Sequence, residues 1–180
     1  MGIVIAEYLI QGAGVVALVC VVISFQNNRR RDILLFLGIA QLFFIIHFWF
    51  LGGWTALAMN GVGLFRTFIF REQPEDKLDS RRYLLYVFLG LFIGLGMFAW
   101  EGWYSVLPIA AMVIETTGLW MKRPAVIRII NIFPHPCWFI YNFIVGSYPG
   151  MATEIFVIAS ILIGIIRLDI LKKKPGSQPM

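Results

Sequence analysis

Apolar residues run through this chain in long blocks, and polar ones gather in the short gaps between them. A block of about 20 apolar residues reads as a membrane-spanning helix, and a shorter one suffices where flanking side chains snorkel. Seven segments qualify: Ile3–Phe25, Ile33–Leu51, Trp54–Phe70, Tyr83–Trp100, Trp103–Trp120, Ala125–Val145 and Met151–Leu171. The gaps at Gly52–Gly53, Glu101–Gly102 and Gly146–Gly150 are short glycine turns. The others, QNNRRRD, REQPEDKLDSRR and MKRP, are charged.

Composition strengthens that reading. The chain is 59% hydrophobic and 14% charged, whereas soluble domains carry about 45–50% and about 25%. It is a polytopic membrane protein of the all-α class. Cys20 and Cys137 lie inside apolar runs and read as small packing residues. No secretory leader precedes the first block, so the first helix is expected to be retained.

Charge then sets orientation. Arg29, Arg30 and Arg31 occupy the first gap; Arg71, Lys77, Arg81 and Arg82 the third; Lys122 and Arg123 the fifth; Lys172, Lys173 and Lys174 the tail. Arg66, Arg128 and Arg167 sit in helices near ends facing the same side. All 15 Lys and Arg therefore fall on one face of the membrane, and the positive-inside rule makes that face cytoplasmic, with the N-terminus outside and the C-terminus inside. The net charge of +5 is a topology signal; nucleic acid is not an expected partner. Trp54, Trp100, Trp103 and Trp120 fall at helix ends, as interfacial tryptophans do.

A shift of 94 residues lays the first three helices on the last three. Arg29 overlies Arg123, Gly52 overlies Gly146, Ala58 overlies Ala152 and Glu7 overlies Glu101. Identities are few, but loop types and lengths recur in order. The expected organisation is a three-helix unit over residues 1–70, a cytoplasmic linker at 71–82, a connecting helix at 83–100, a second three-helix unit over 101–171 and a cytoplasmic tail at 172–180. The connecting helix makes the two units parallel, a known transporter plan.

Within this 3+1+3 layout stand Ser24-Phe25-Gln26, a basic turn, a Gly-Gly-Trp turn and Ala58-Met59-Asn60. In these residues and this layout the chain resembles the SWEET/PQ-loop (MtN3-like) superfamily. Size and layout are similar to the YgjV-type bacterial inner-membrane family, with PnuC-type vitamin-precursor transporters a more distant look-alike. Phe25 stands where the superfamily has a proline, and the second unit reads Leu119-Trp120. Sugar-transporting members carry a pocket asparagine in the last helix of each unit; here the pair is Asn60 and Glu154.

Polar residues in the spans are the candidate chemistry, because an unpartnered polar group in hydrocarbon costs several kcal/mol. Asn60 shares a stripe with Ala56, Gly63 and Thr67, suiting either an interhelical hydrogen bond or a pocket wall. Glu154 is either interfacial or, if deeper, a ligand for a cationic group or a proton. Glu115 lies well inside its helix and calls for a partner, an ion pair with Arg66 or Arg128, or a transported proton. His47 overlies Tyr141, and both read as hydrogen-bonding pocket positions. His135, Trp138 and Asn142 form one helix face that could orient a planar ring or simply pack. Pro108, Pro134 and Pro136 are hinge candidates. No metal or cofactor is expected, and no nucleophile, base and oxyanion set suggests an enzyme. The function expected is a small-solute transporter or facilitator with a midplane pocket between the units. The alternatives are a non-transporting receptor or assembly partner on the same bundle, and vitamin-precursor uptake. An oligomer through the fourth helix is compatible with the pattern.

Overall fold

A computed structural model describes residues 2–171, with side chains from Gly12 onward except Pro149. The side chain of Glu7 and the tail at 172–180, with Lys172, Lys173 and Lys174, lie outside the described residues. Among the described residues the chain is helical, with no strand: α1 (Gly2–Phe25), α2 (Arg30–Leu51), α3 (Trp54–Arg71), α4 (Tyr83–Phe98), α5 (Val106–Leu119), α6 (Pro124–Ile130), α7 (Pro134–Ile144) and α8 (Tyr148–Gly164), the last continuing as a wider π-helical turn over Ile165–Ile170.

Each expected segment is helical, with three instructive differences. The sixth segment is two helices, broken at residues 131–133, because Pro134 has no N–H with which to continue the ladder. The break falls just before the prolines, so Pro134 and Pro136 sit in the first turn of α7, where missing donors are harmless. Pro108 likewise occupies the first turn of α5, which begins at Val106, and bends nothing. Second, α2 starts at Arg30 rather than Ile33. Third, α8 starts at Tyr148, three residues before the expected Met151, which moves Glu154 two turns into the helix.

The helices pack in a ring. α1 lies against α2, α2 against α3, α3 against α5, α5 against α7, α7 against α8, and α8 returns to α1. α4 stands outside, against α3 and α5. Outward faces carry large apolar side chains, among them Phe65 and Phe68 on α3, Met97 and Phe98 on α4, Phe143 on α7, and Ile155 and Phe156 on α8. An apolar surface of this extent fits a helical membrane protein. By length and composition alone, Arg30–Leu51 is the one described helix long and apolar enough to cross a bilayer; Gly12–Phe25, Tyr83–Phe98 and Trp103–Leu119 are apolar but shorter.

Two turns close one end of the ring in the same way. Gly52 (φ 77°) and Gly146 (φ 73°), 94 residues apart, both adopt the left-handed conformation that glycine takes without strain. At the opposite, arginine-rich end, the linker between α3 and α4 is docked rather than free. Leu78 is buried, and Asp79 accepts from Lys122 Nζ at 2.6 Å. That hydrogen bond and charge hold the Asp79 carboxyl below the usual range.

At Gly164 the approach is to backbone: a Cβ there would meet the carbonyl oxygen of Phe25 at 2.6 Å and Arg128 Cδ at 3.1 Å. The neighbour is backbone and cannot rotate away. Gly164→Val is expected to destabilise the protein by roughly 1–3 kcal/mol through overpacking, read as a lower thermal midpoint in detergent.

Candidate functional site

The ring lines a cavity of about 70 Å³ to which all six of its helices contribute. Phe25, Leu37, Phe44, Phe48, Met112 and Val157 supply apolar wall. Gln41, Asn60, Glu115, Asn131, His135, Asn142, Thr153 and Glu154 supply polar groups. The wall follows helix geometry. On α2 it is Leu37, Ala40, Gln41, Phe44 and Phe48; on α7 it is His135, Trp138 and Asn142, each set on one face of a 3.6-residue helix.

Of the seven residues expected in a pocket, Asn60, Glu154, Trp138, Asn142 and His135 line this cavity; His47 and Tyr141 do not. Each of the latter is one residue from a lining position, and one residue turns a side chain by about 100°. His47 is buried and meets Ser147 Oγ at 3.4 Å, linking α2 to the turn before α8. The Tyr141 hydroxyl donates to Glu101 Oε2 at 3.2 Å.

Glu101, in the loop before α5, ties the glycine-turn end together. Its carboxylate also accepts the backbone N–H groups of Trp54 at 3.3 Å and Thr55 at 3.0 Å, at the start of α3. A carboxylate there satisfies two orphan donors and sits at the positive end of the helix dipole. Glu101 thus bridges α3 and α7 across the ring. Beneath it the Phe48 and Trp138 rings stack, centroids 6.5 Å apart.

The arginine end is closed by buried cations. Arg30, 2% exposed, donates to the carbonyls of Phe70 at 2.9 Å and Leu119 at 3.2 Å, the last turns of α3 and α5. Arg128 is an anchor of α6: it pairs with Asp169 and donates to the Asn27 carbonyl at 2.9 Å. It is therefore not the partner of Glu115. That partner is Arg66, whose guanidinium reaches Glu115 Oε1 at 2.6 Å and Thr116 Oγ1 at 2.8 Å and lies over the Phe92 ring.

Glu154 faces His135, Nδ1 to Oε2 at 2.6 Å. Asn60 Nδ2 donates to its own helix at Ala56, 2.9 Å away. Gln41, Asn131 and Thr153 were not anticipated. Gln41 accepts from Thr67 Oγ1 at 2.9 Å and fills the space left by Gly63, where a Cβ would come within 2.6 Å of Gln41 Nε2. Its signal was plain, a lone amide amid an apolar span. The Asn131 amide closes the last turn of α6 by donating to Ile127 at 2.8 Å.

Lining residues recur at the 94-residue shift. Val21 and Glu115, Leu37 and Asn131, Gln41 and His135, Phe44 and Trp138, Phe48 and Asn142, and Asn60 and Glu154 are six such pairs, both members of each on the cavity wall. Among the described residues no group of three or more His, Cys, Asp or Glu is placed to hold a metal ion.

A family model described as bacterial inner membrane protein, Imp-YgjV, matches residues 8–172. The inner membrane protein YgjV of Escherichia coli (strain K12) is 27% identical over 150 residues, covering 83% of this chain and 78% of that protein. No solved structure matches.

Proposed function

We propose, for a chain that belongs to the Imp-YgjV family of bacterial inner membrane proteins, that it is a small-solute transporter or facilitator working by alternating access. On this reading it crosses the lipid bilayer seven times, N-terminus outside and C-terminus cytoplasmic, with α6 and α7 as one interrupted span. Helices α1–α3 and α5–α8 are two parallel units joined by α4, the 3+1+3 plan of SWEET/PQ-loop proteins. It carries out no bond chemistry of its own and takes no cofactor.

The observation that carries the reading is the set of six lining pairs at one constant shift. A repeat that kept only helices and loops would leave the inward-facing positions unmatched. Here equivalence extends to the cavity wall, as expected for two units related by an axis through a central pocket. On this reading the cross-links at both ends fit an occluded state. At about 70 Å³ the cavity is about half the ~150 Å³ that admits benzene, so a compound of about three or four non-hydrogen atoms fits as it stands.

The test is solute counterflow with purified protein in liposomes across a panel of small polar, cationic and anionic compounds. Flux above empty liposomes supports the reading; none for any compound, with no ligand-induced thermal shift, sinks it. The bridge at the glycine-turn end gives a sharper check. Tyr141→Phe removes one hydrogen bond to a charged group, worth about 1.5–3 kcal/mol. In a background lacking Cys20 and Cys137, a cysteine introduced at Phe48 is expected to react roughly tenfold faster with a membrane-impermeant thiol reagent once that bond is lost.

A further inference from the structure

The two halves of the cavity wall differ in chemistry. In the six pairs the first unit contributes Val21, Leu37, Phe44 and Phe48, with Gln41 and Asn60; the second contributes a hydrogen-bonding side chain at every position. Two acceptors in that second wall lack partners among the described residues. Asn142 Oδ1 is fully buried, on a residue only 2% exposed. His135 Nε2 is also buried without a partner. With Glu154 as a carboxylate, His135 Nδ1–H donates to it at 2.6 Å, which leaves Nε2 of the neutral ring an acceptor. Both atoms are packed against protein, and burying an acceptor unpaired costs about 1–3 kcal/mol, so the second wall holds more acceptors than its own hydrogen bonds use.

Charge points the same way. The carboxylates facing the cavity are Glu115 and Glu154. Arg66 neutralises Glu115, with its guanidinium wholly buried. Glu154 meets only an imidazole. α1 and α2 bring Val21, Phe25, Leu37, Ala40, Gln41, Phe44 and Phe48 to the wall, none of them charged, and α3 brings Asn60. With His135 neutral the cavity carries one negative charge without a cation.

We infer that the cavity takes a small organic cation, a protonated amine whose N–H groups meet the Glu154 carboxylate. The inference rests on the transport reading and names the class of solute. A volume of about 70 Å³ limits that cation to about four non-hydrogen atoms, the size of a short amino alcohol. Phe44, Phe48 and Trp138 on the wall supply aromatic surface for its methylenes. An anion would face Glu154 unscreened, and a polyol would leave its charge unmatched.

Three compounds of nearly one shape separate these outcomes: ethanolammonium, ethylene glycol and glycolate. Titration calorimetry on the full-length protein in detergent is expected to find ethanolammonium bound at least about tenfold more tightly than the other two. Glu154→Gln, which keeps the shape and drops the charge, removes that preference. Equal or tighter binding of glycol or glycolate overturns the inference, as does a preference unaltered in a folded Glu154→Gln protein. So does sodium ion competing at the same stoichiometry with equal strength, which marks a metal-cation site. The wild-type ranking carries the test even if the variant fails to fold. Counterflow with the same compounds keeps the two readings apart. Selective ethanolammonium binding without flux supports the ligand class and fails transport, whereas flux of glycol or glycolate alone overturns the class and leaves transport standing.

Discussion

Arg66→Ala is expected to destabilise the folded protein by about 3–5 kcal/mol, the cost of breaking a buried ion pair from one side. The guanidinium is entirely buried and its two terminal nitrogens donate to Glu115, Thr116 and Thr67 while it lies over Phe92. Alanine leaves the Glu115 carboxylate facing the cavity with its cation gone. Glu115→Gln is expected to cost less, since an amide oxygen still accepts from the guanidinium. Equilibrium unfolding in mixed detergent measures both, and the double variant gives the coupling. If the two single costs simply add, the pair is not the unit described here. Arg66→Lys is expected to fall between wild type and alanine, because one ammonium cannot reproduce the planar fork that meets Glu115 and Thr116 together.

Arg30→Ala is expected to cost about 3 kcal/mol or more, from two charge-assisted hydrogen bonds of about 1.5–3 kcal/mol each. Arg30 begins α2 and reaches the carbonyl ends of α3 and α5. Those ends carry the negative pole of their helix dipoles, so the cation is matched although neither contact is a carboxylate. The substitution also unpins α3 from α5, the seam between the two halves of the ring. A cysteine at Leu37 is expected to gain reactivity towards reagent added from the Arg30 side, again in a background without Cys20 and Cys137. Unchanged stability with unchanged reactivity would remove Arg30 from the closure described here.

The helical layout was legible in the sequence because burial in lipid demands long apolar runs, and the turns carried glycine where a left-handed residue is needed. Arg30 was misread as a loop residue because three consecutive arginines look like one solvated cluster. Nothing local distinguishes the one that turns inward to cap two distant helices. The start of α8 was placed three residues late for a related reason: the helix begins in Tyr148-Pro149-Gly150, which reads as turn. Ser147 supplies a cap, its hydroxyl accepting the Gly150 N–H at 3.3 Å. The cavity was half legible. Polarity within an apolar run found Asn60, Glu115, His135, Asn142 and Glu154, and the same argument would have found Gln41 and Asn131. It could not separate His47 from Phe48 or Tyr141 from Asn142, since the rotation of each helix is fixed by contacts 40–100 residues away. The 94-residue shift was faint in identities because the paired lining positions differ in chemistry: Val21 is matched with Glu115, and Phe48 with Asn142. What persists is position.

The interruption at residues 131–133 divides one span into parts with unequal attachments. Below it, α6 is moored by Arg128 to Asp169 and to the Asn27 carbonyl. Above it, α7 carries His135, Trp138 and Asn142 on one short, stiff rod held at its far end through Tyr141. The segment therefore has the build of a lever with its fulcrum at Asn131. On the transport reading, any movement of α7 about that point carries all three cavity side chains together while the anchor stays where it is.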